Sequence, residues 1–184
     1  MKSFVFVLLD KFFEGFMKFF FRTNEYKVLA YRIILAYIFY FLARVLFLIY
    51  NHDLLKVTSV SQFFKLAYHG LAFDTTAILY TNGLFILLSI LPLWYNTEKK
   101  YQKFLMYIYF IFNLIAYSTN FIDFIYYKYI FSRTSVAILS VLEHEENKAS
   151  MFTRFMFTYW HVYLLFFLMA LLWVYLYRKV RIDK

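Results

Sequence analysis

The stretch VLAYRIILAYIFYFLARVLFLIY, residues 28–50, decides the class of this protein. Of its 23 residues, only Arg32 and Arg44 carry a charge. Because a helix needs roughly 20 mostly apolar residues to cross the hydrocarbon core of a bilayer, this stretch predicts a transmembrane helix. Tyr26 precedes it and Tyr50 ends it, as expected of aromatic residues that favour the interface between lipid and water.

Three further stretches have a similar length and character: residues 71–95, 104–127 and 155–177. The chain of 184 residues is 64% hydrophobic and 26% aromatic, whereas a soluble domain is about 45–50% apolar. A water-soluble core of this size cannot bury so many Phe, Tyr and Trp side chains, which excludes a soluble globular enzyme. The sequence therefore predicts an all-α membrane protein whose transmembrane domain, residues 28–184, contains four helices.

Residues 1–27 precede the first span and carry too many charges to cross the membrane. Four of these charges recur at spacings of three and four residues, on one helical face opposite many Phe side chains: Lys11, Glu14, Lys18 and Arg22. This pattern predicts an amphipathic helix that lies in the membrane interface. A signal peptide is excluded because no cleavage site of small residues follows the apolar run, and a poorly ordered leader is the alternative.

The distribution of Lys and Arg between the connections predicts the orientation of the chain. With both termini in the cytoplasm, twelve of these residues lie inside and six outside, and the opposite orientation inverts the ratio. We therefore expect a multi-pass protein with cytoplasmic termini. We interpret the net charge of +9 first as a sign of this orientation and as a source of attraction to anionic lipid, so nucleic acid is not a predicted partner.

Polar residues from all four predicted spans lie at similar depth, in the outer third of the bilayer. Arg44 is six residues before the end of the first span, a depth of about 9 Å at 1.5 Å per residue. The group comprises Arg44, Asp74, Asn120, Asp123 and His161. Two interpretations stay open: Arg44 and Asp74 form an ion pair that joins the first two spans, or the group also binds a phospholipid headgroup, with Arg44 on the phosphate.

Two amides lie near the predicted midplane, Asn82 in the second span and Asn113 in the third. Because their depths match, we expect them to make interhelical polar contacts. Arg32 lies near the inner end of the first span, where its long side chain is expected to reach the cytoplasmic headgroups.

The sequence contains no recognisable catalytic or metal-binding motif. Its three glycines are isolated, so no phosphate-binding loop is present, and neither an HExxH motif nor a nucleophile elbow occurs. The chain has no cysteine, and its four histidines lack the spacing of metal ligands. We predict no catalytic residue, no metal site and no cofactor in this chain.

Beyond hydropathy, the chain resembles a known family in its polar residues. Residues 70–93 read GLAFDTTAILYTNGLFILLSILPL, and residues 101–135 run from YQK through an N-x-x-D pair to an Arg-Thr dipeptide. The matching positions are Asn113, Asn120, Asp123, Arg133 and Thr134, with Arg44 in FLARVLF and the pair Tyr159-Trp160. These features are similar to the membrane domain of lipoteichoic-acid-synthase-like proteins, which belong to the alkaline phosphatase and sulfatase superfamily. The resemblance covers nearly the whole chain, but Ala72 stands where the family often has a basic residue.

The resemblance implies a location in the bacterial cytoplasmic (inner) membrane and a role in lipid-headgroup transfer. Members of the family continue into a fifth span and an extracytoplasmic domain, whose divalent metal and Thr nucleophile transfer phosphoglycerol or phosphoethanolamine from a phospholipid. This chain stops at YRKVRIDK, residues 177–184, so we expect a membrane-anchoring domain that is truncated before the catalytic domain and inactive alone. Its implied partners are membrane phospholipids and a separate or C-terminal sulfatase-like catalytic domain.

The residues by themselves are also compatible with two other functions. The main alternative is a small integral-membrane module that binds lipid or a partner protein through the outer polar group. A transporter or channel is less favoured, because no charged residue lies at the predicted midplane and no paired Gly/Pro-broken helices occur.

Overall fold

In the computed structural model the described residues are 23–55, 59–91, 96–132 and 148–180, and their regular structure is entirely helical. The helices are α1 (Thr23–Tyr50), α2 (His52–Leu55), α3 (Val60–Ile90), α4 (Lys99–Ile130), α5 (Lys148–Thr158) and α6 (Trp160–Lys179). Four of them, α1, α3, α4 and α6, are long and apolar enough to cross a membrane. The prediction of an all-α protein with four candidate membrane helices is confirmed.

The helix ends differ from the predicted spans, because hydropathy marks the apolar part of a helix and not its termini. α1 already begins at Thr23, within the predicted leader, and the interfacial helix predicted for the rest of that leader (1–22) lies outside the described residues. α3 begins at Val60 instead of residue 71. Its start is set by an N-cap, in which the Ser59 hydroxyl accepts a hydrogen bond from the Gln62 backbone N–H at 3.2 Å.

The fourth predicted span, residues 155–177, is divided at Tyr159 into α5 and α6. The Tyr159 N–H donates to the Phe155 carbonyl and the Tyr159 carbonyl accepts from the Val162 N–H, both at 2.9 Å. Neither Pro nor Gly lies near this position, so the usual sequence signals of a helix end are missing there. The candidate for crossing the membrane is therefore α6, without α5.

Contacts between helix ends establish the directions of the helices in the bundle. Tyr50, the last residue of α1, lies beside His161 at the start of α6. Arg32, in the first half of α1, lies beside Gln102 at the start of α4. We call these two regions the Tyr50 end and the Arg32 end of the bundle.

Aromatic side chains fill the centre of the bundle, where α1 packs against α3, α4 and α6. The Phe39 and Trp173 rings stack with centroids 4.7 Å apart, and the Tyr117 ring meets Trp173 edge-on at 5.2 Å. All three side chains are buried. Such ring pairs contribute about 0.5–1.5 kcal/mol beyond the burial of their area, so part of the high aromatic content stabilises the contact between helices.

The outer surface of the bundle is apolar as well. More than half of the side chain surface is exposed at residues such as Ile49, Phe73, Tyr80, Ile115 and Leu171. A soluble protein rarely exposes apolar patches of this extent, whereas lipid tails are a suitable environment for them. The surface therefore agrees with a multi-pass membrane protein.

Candidate functional site

Arg44 and Asp74 form a buried ion pair between α1 and α3. The Arg44 Nε atom donates a hydrogen bond to Asp74 Oδ2 at 2.8 Å, and Nη2 donates to Oδ1 at 2.5 Å. Each of the two side chains is only 8% exposed. A guanidinium that meets both oxygens of a carboxylate in this way is fixed in orientation as well as in position. The ion pair expected from the matching depths of the two residues is present in the structure.

Gly70 lies one helical turn before Asp74 and completes this cluster. Its carbonyl oxygen accepts a further hydrogen bond from Arg44 Nη2, at 2.9 Å. The guanidinium also occupies the space that a Cβ atom on residue 70 would need. Only glycine therefore allows the Arg44 side chain to approach the backbone of α3 this closely. We call Arg44, Gly70 and Asp74 the arginine cluster.

The arginine cluster belongs to a continuous buried face of α3. The buried residues of that helix are Ala67, Gly70, Asp74, Ile78, Asn82 and Phe85. Their spacings of three and four residues place them on one side of an α-helix. The same face thus carries the ion pair with α1 and, two turns further along, the amide of Asn82.

Asn82 and Asn113 bond to each other across α3 and α4. The Asn82 Nδ2 atom donates to Asn113 Oδ1 at 3.1 Å, and Asn113 Nδ2 donates to Asn82 Oδ1 at 2.8 Å. Their second amide N–H groups find backbone carbonyls, that of Ile78 at 3.0 Å and that of Tyr109 at 2.8 Å. Both side chains are fully buried, so the interhelical polar contact expected of these two residues is made without water.

His161 does not belong to the arginine cluster. It is the second residue of α6, because that helix begins at Trp160 and not at residue 155. Its exposed ring lies at the Tyr50 end, with Nε2 3.0 Å from the Tyr50 hydroxyl oxygen. The Lys128 ammonium lies 4.1 Å from the centroid of the same tyrosine ring, a cation–π contact. The ends of α1, α4 and α6 therefore meet around Tyr50.

Asn120 and Asp123 lie on α4, nearer to its C-terminal end than Asn113. Asn120 is half-buried, with its amide nitrogen 3.5 Å from the Ala116 carbonyl oxygen. Asp123 is buried, at 6% exposure. Of the five residues predicted to share a depth, the structure thus joins Arg44 and Asp74 directly and gives His161 a different partner.

Comparison of the chain with protein-family models, curated proteins and solved structures finds no match. Its function must therefore be argued from the residues and contacts themselves. Among the described residues, no group of three or more His, Asp or Glu side chains could hold a metal ion.

Arg32 is placed differently from the sequence-based expectation. It is only 5% exposed and does not extend along the surface of the bundle. Its Nη1 atom donates to Gln102 Oε1 at 3.0 Å, and its guanidinium carbon lies 4.3 Å from the centroid of the Tyr177 ring. The expectation that Arg32 reaches the headgroups is wrong, because α4 and α6 supply partners that hydropathy and depth do not reveal.

Another polar residue that the sequence did not single out is Asn51, directly after α1. It is 1% exposed, and its Nδ2 atom donates to the Phe47 carbonyl at 3.3 Å and reaches the Phe124 carbonyl at 3.5 Å. Asn51 therefore links the ends of α1 and α4. A polar residue that directly follows a span is normally read as a loop residue, so the sequence carries no clear signal of this role.

Proposed function

We propose that this chain is the membrane-anchoring domain of a lipid-headgroup transferase, similar to the membrane domain of lipoteichoic-acid-synthase-like proteins. In this proposal α1, α3, α4 and α6 form a rigid base in the bacterial cytoplasmic membrane. The transfer of phosphoglycerol or phosphoethanolamine, with its divalent metal, is the task of an extracytoplasmic sulfatase-like domain on the same or another chain.

One observation carries the proposal: several of the residues by which the chain resembles that family hold its helices together. Gly70 and Asp74 bind the Arg44 guanidinium between α1 and α3. Asn113 binds Asn82 between α4 and α3. The resemblance therefore concerns the internal packing of a membrane domain, which is the part of an anchor that must keep a defined shape.

The orientation is part of the same proposal. If α1, α3, α4 and α6 each cross the bilayer once, both termini lie on one side. The excess of Lys and Arg in the leader, the α3–α4 connection and the tail favours the cytoplasm for that side. The Tyr50 end then faces outward, toward the compartment where the proposed catalytic domain would act.

The proposal is tested by the nucleotide sequence after the codon for Lys184 and in the neighbouring genes. We expect a reading frame, continuous or adjacent, that encodes a further span and a domain with metal ligands and a nucleophile. The purified 184-residue chain is expected to release no phosphoglycerol or phosphoethanolamine from phospholipid vesicles with divalent metal. Metal-dependent release by this chain alone, or a gene neighbourhood without such a domain, would contradict the proposal.

A lipid-binding module is the second candidate, and one feature of Arg44 favours it. Its Nη1 atom donates no hydrogen bond among the described residues, since Asp74 and Gly70 engage only Nε and Nη2. The remaining N–H groups suit a phosphate oxygen, with Asn120, Asp123 and His161 proposed to bind the rest of the headgroup.

Native mass spectrometry separates the two candidates by the anionic lipid that co-purifies with the chain. Lipid binding through Arg44 predicts a loss of retained lipid in Arg44→Gln, while the exposed Arg178→Gln serves as the matched control. Equal retention by wild type and Arg44→Gln, with unchanged helical content, removes the second candidate and leaves the anchor.

A further inference from the structure

A buried polar network at the Arg32 end joins α1 to the residues that lead into α4. Arg32 Nη1 donates to Gln102 Oε1 at 3.0 Å, and Gln102 Nε2 donates to the Asn96 carbonyl at 2.7 Å. Asn96 Nδ2 in turn donates to the Leu91 carbonyl at 2.6 Å, after the end of α3. Arg32 is 5% exposed and Asn96 is 3% exposed, so these two members of the network are shielded from solvent, while Gln102 is half-buried.

Two atoms of this network have no hydrogen-bond partner among the residues that the structure describes. They are Arg32 Nε, which is a donor, and Asn96 Oδ1, which is an acceptor. A buried polar atom without a partner loses its hydration without compensation, so such atoms are rare in folded proteins. One of these atoms is a donor and the other is an acceptor. A molecule that binds both must therefore accept a hydrogen bond from Arg32 Nε–H and donate one to Asn96 Oδ1.

Both residues line the same small cavity, together with Glu25, Leu29, Ser89, Gln102 and Leu105. Its volume is about 10 Å³. A cavity of roughly 10–15 Å³ on this measure holds one water molecule and is too small for a phosphate group or an organic ligand. The lining includes one acidic residue, Glu25, and one basic residue, Arg32, so a neutral occupant fits it better than an anion or a cation.

We propose that this cavity binds one ordered water molecule, which accepts a hydrogen bond from Arg32 Nε–H and donates one to Asn96 Oδ1. The Ser89 hydroxyl donates to the Phe85 carbonyl at 2.7 Å, which leaves its oxygen free to accept the second water hydrogen. Buried waters typically make about three hydrogen bonds, and these three groups supply them. The water thereby extends the contact of α1 to both α3 and the start of α4.

The direct test is an experimental structure of the full chain in lipid, at a resolution that shows ordered waters. We expect a density peak within about 3.2 Å of both Arg32 Nε and Asn96 Oδ1, absent from the Asn96→Leu variant. A wild-type cavity without density overturns the proposal. Crystals soaked in bromide that show anomalous signal at the peak overturn it as well, because the site then binds an anion.

A double-mutant cycle provides a second readout that is independent of crystals. The Arg32 and Asn96 side chains make no direct hydrogen bond, and their shared partner Gln102 binds the backbone carbonyl of Asn96, which Asn96→Leu retains. A coupling between the two side chains is therefore expected only if a water bridges Arg32 Nε and Asn96 Oδ1. We expect the melting temperature of Arg32→Met/Asn96→Leu to fall by clearly less than the sum of the two single shifts. The same cycle with Asn51→Leu, at the Tyr50 end, in place of Asn96→Leu is the control and should be additive. Additive shifts in both cycles contradict a bridging water.

Discussion

Arg44 and Asp74, 30 residues apart in the sequence, meet through two parallel hydrogen bonds of 2.8 and 2.5 Å inside the bundle. Burial removes both charges from water, and this cost roughly cancels their mutual attraction. The pair is therefore not a large net source of stability. Its importance lies in the consequence of losing one partner, which leaves the other charge buried and uncompensated.

We accordingly expect Arg44→Met to lower the free energy of unfolding by about 3–5 kcal/mol, because Asp74 then stays buried without a cation. The double variant Arg44→Met/Asp74→Leu should regain most of this loss, since no charge remains. Unfolding of the purified chain in detergent measures both effects, with the exposed Arg178→Met as control. A double variant as unstable as the single one would show that the charge balance is not the cause.

Substitution by alanine is expected to have opposite effects on stability at the two glycines of α3, Gly70 and Gly83. Gly70→Ala places a Cβ atom in the space of the Arg44 guanidinium and should cost about 1–3 kcal/mol, as overpacking does. Around Gly83 no atom lies within 4 Å of such a Cβ, so Gly83→Ala should stabilise the helix by up to about 1 kcal/mol. Thermal unfolding of the two variants side by side tests both. Equal shifts of the same sign would refute the tight approach of Arg44 to α3.

The reciprocal amide pair of Asn82 and Asn113 should show energetic coupling. Such interhelical hydrogen bonds contribute about 0.6 kcal/mol on average and up to about 1.7 kcal/mol. We expect each single Asn→Leu change to destabilise the chain, and the double change to cost less than the sum by an amount in this range. Equilibrium unfolding of the four proteins of the cycle gives the coupling. A coupling of zero would mean that the two amides do not depend on each other.

Tyr109 links three helices through its hydroxyl, which accepts from Trp173 Nε1 at 3.0 Å and donates to the Arg32 carbonyl at 2.9 Å. Tyr109→Phe leaves the buried indole N–H without its acceptor, so we expect a cost of about 1–3 kcal/mol. Tyr107→Phe is the matched control on the same helix, because the Tyr107 side chain is 52% exposed. Near-ultraviolet circular dichroism should change only in Tyr109→Phe, through the altered surroundings of Trp173. Identical melting curves for the two variants would contradict the proposed link.

The proposed orientation predicts opposite locations for Ser59, at the start of α3, and Lys184. A reporter that is active only outside the cytoplasm should work when fused at Ser59, and a cytoplasmic reporter should work at Lys184. The reason is the excess of Lys and Arg on the side of both termini. Signals from both fusion sites on the same side of the membrane would rule out the four-span arrangement.

The all-α class and the number of membrane-length helices follow from the sequence alone. The need for about 20 apolar residues is a local property of the chain, so residues 28–50 already predict a span before any contact is known. The ends of the helices depend on capping and on neighbours. The hydroxyl of Ser59 extends α3 beyond its apolar part, and the break at Tyr159 has no Pro or Gly to indicate it.

Some of the polar pairs within the bundle can be predicted from the sequence. A charge or amide inside a membrane requires a partner, and helices that run side by side bring groups of equal depth together. This argument suffices for Arg44 with Asp74 and for Asn82 with Asn113. It does not reveal Gly70, whose role comes from the missing Cβ atom at one point of close approach.

Arg32 and His161 show what only the tertiary structure decided. A span that begins at residue 155 puts His161 well below the membrane surface, but α6 begins at Trp160, so the ring lies at the end of the bundle beside Tyr50. Arg32 is buried because Gln102 and Tyr177, distant in the sequence, meet its guanidinium on two sides. The length of an apolar segment is a local property of the sequence. The partner of a buried polar group depends on which helix faces pack together, and that is a property of the tertiary structure.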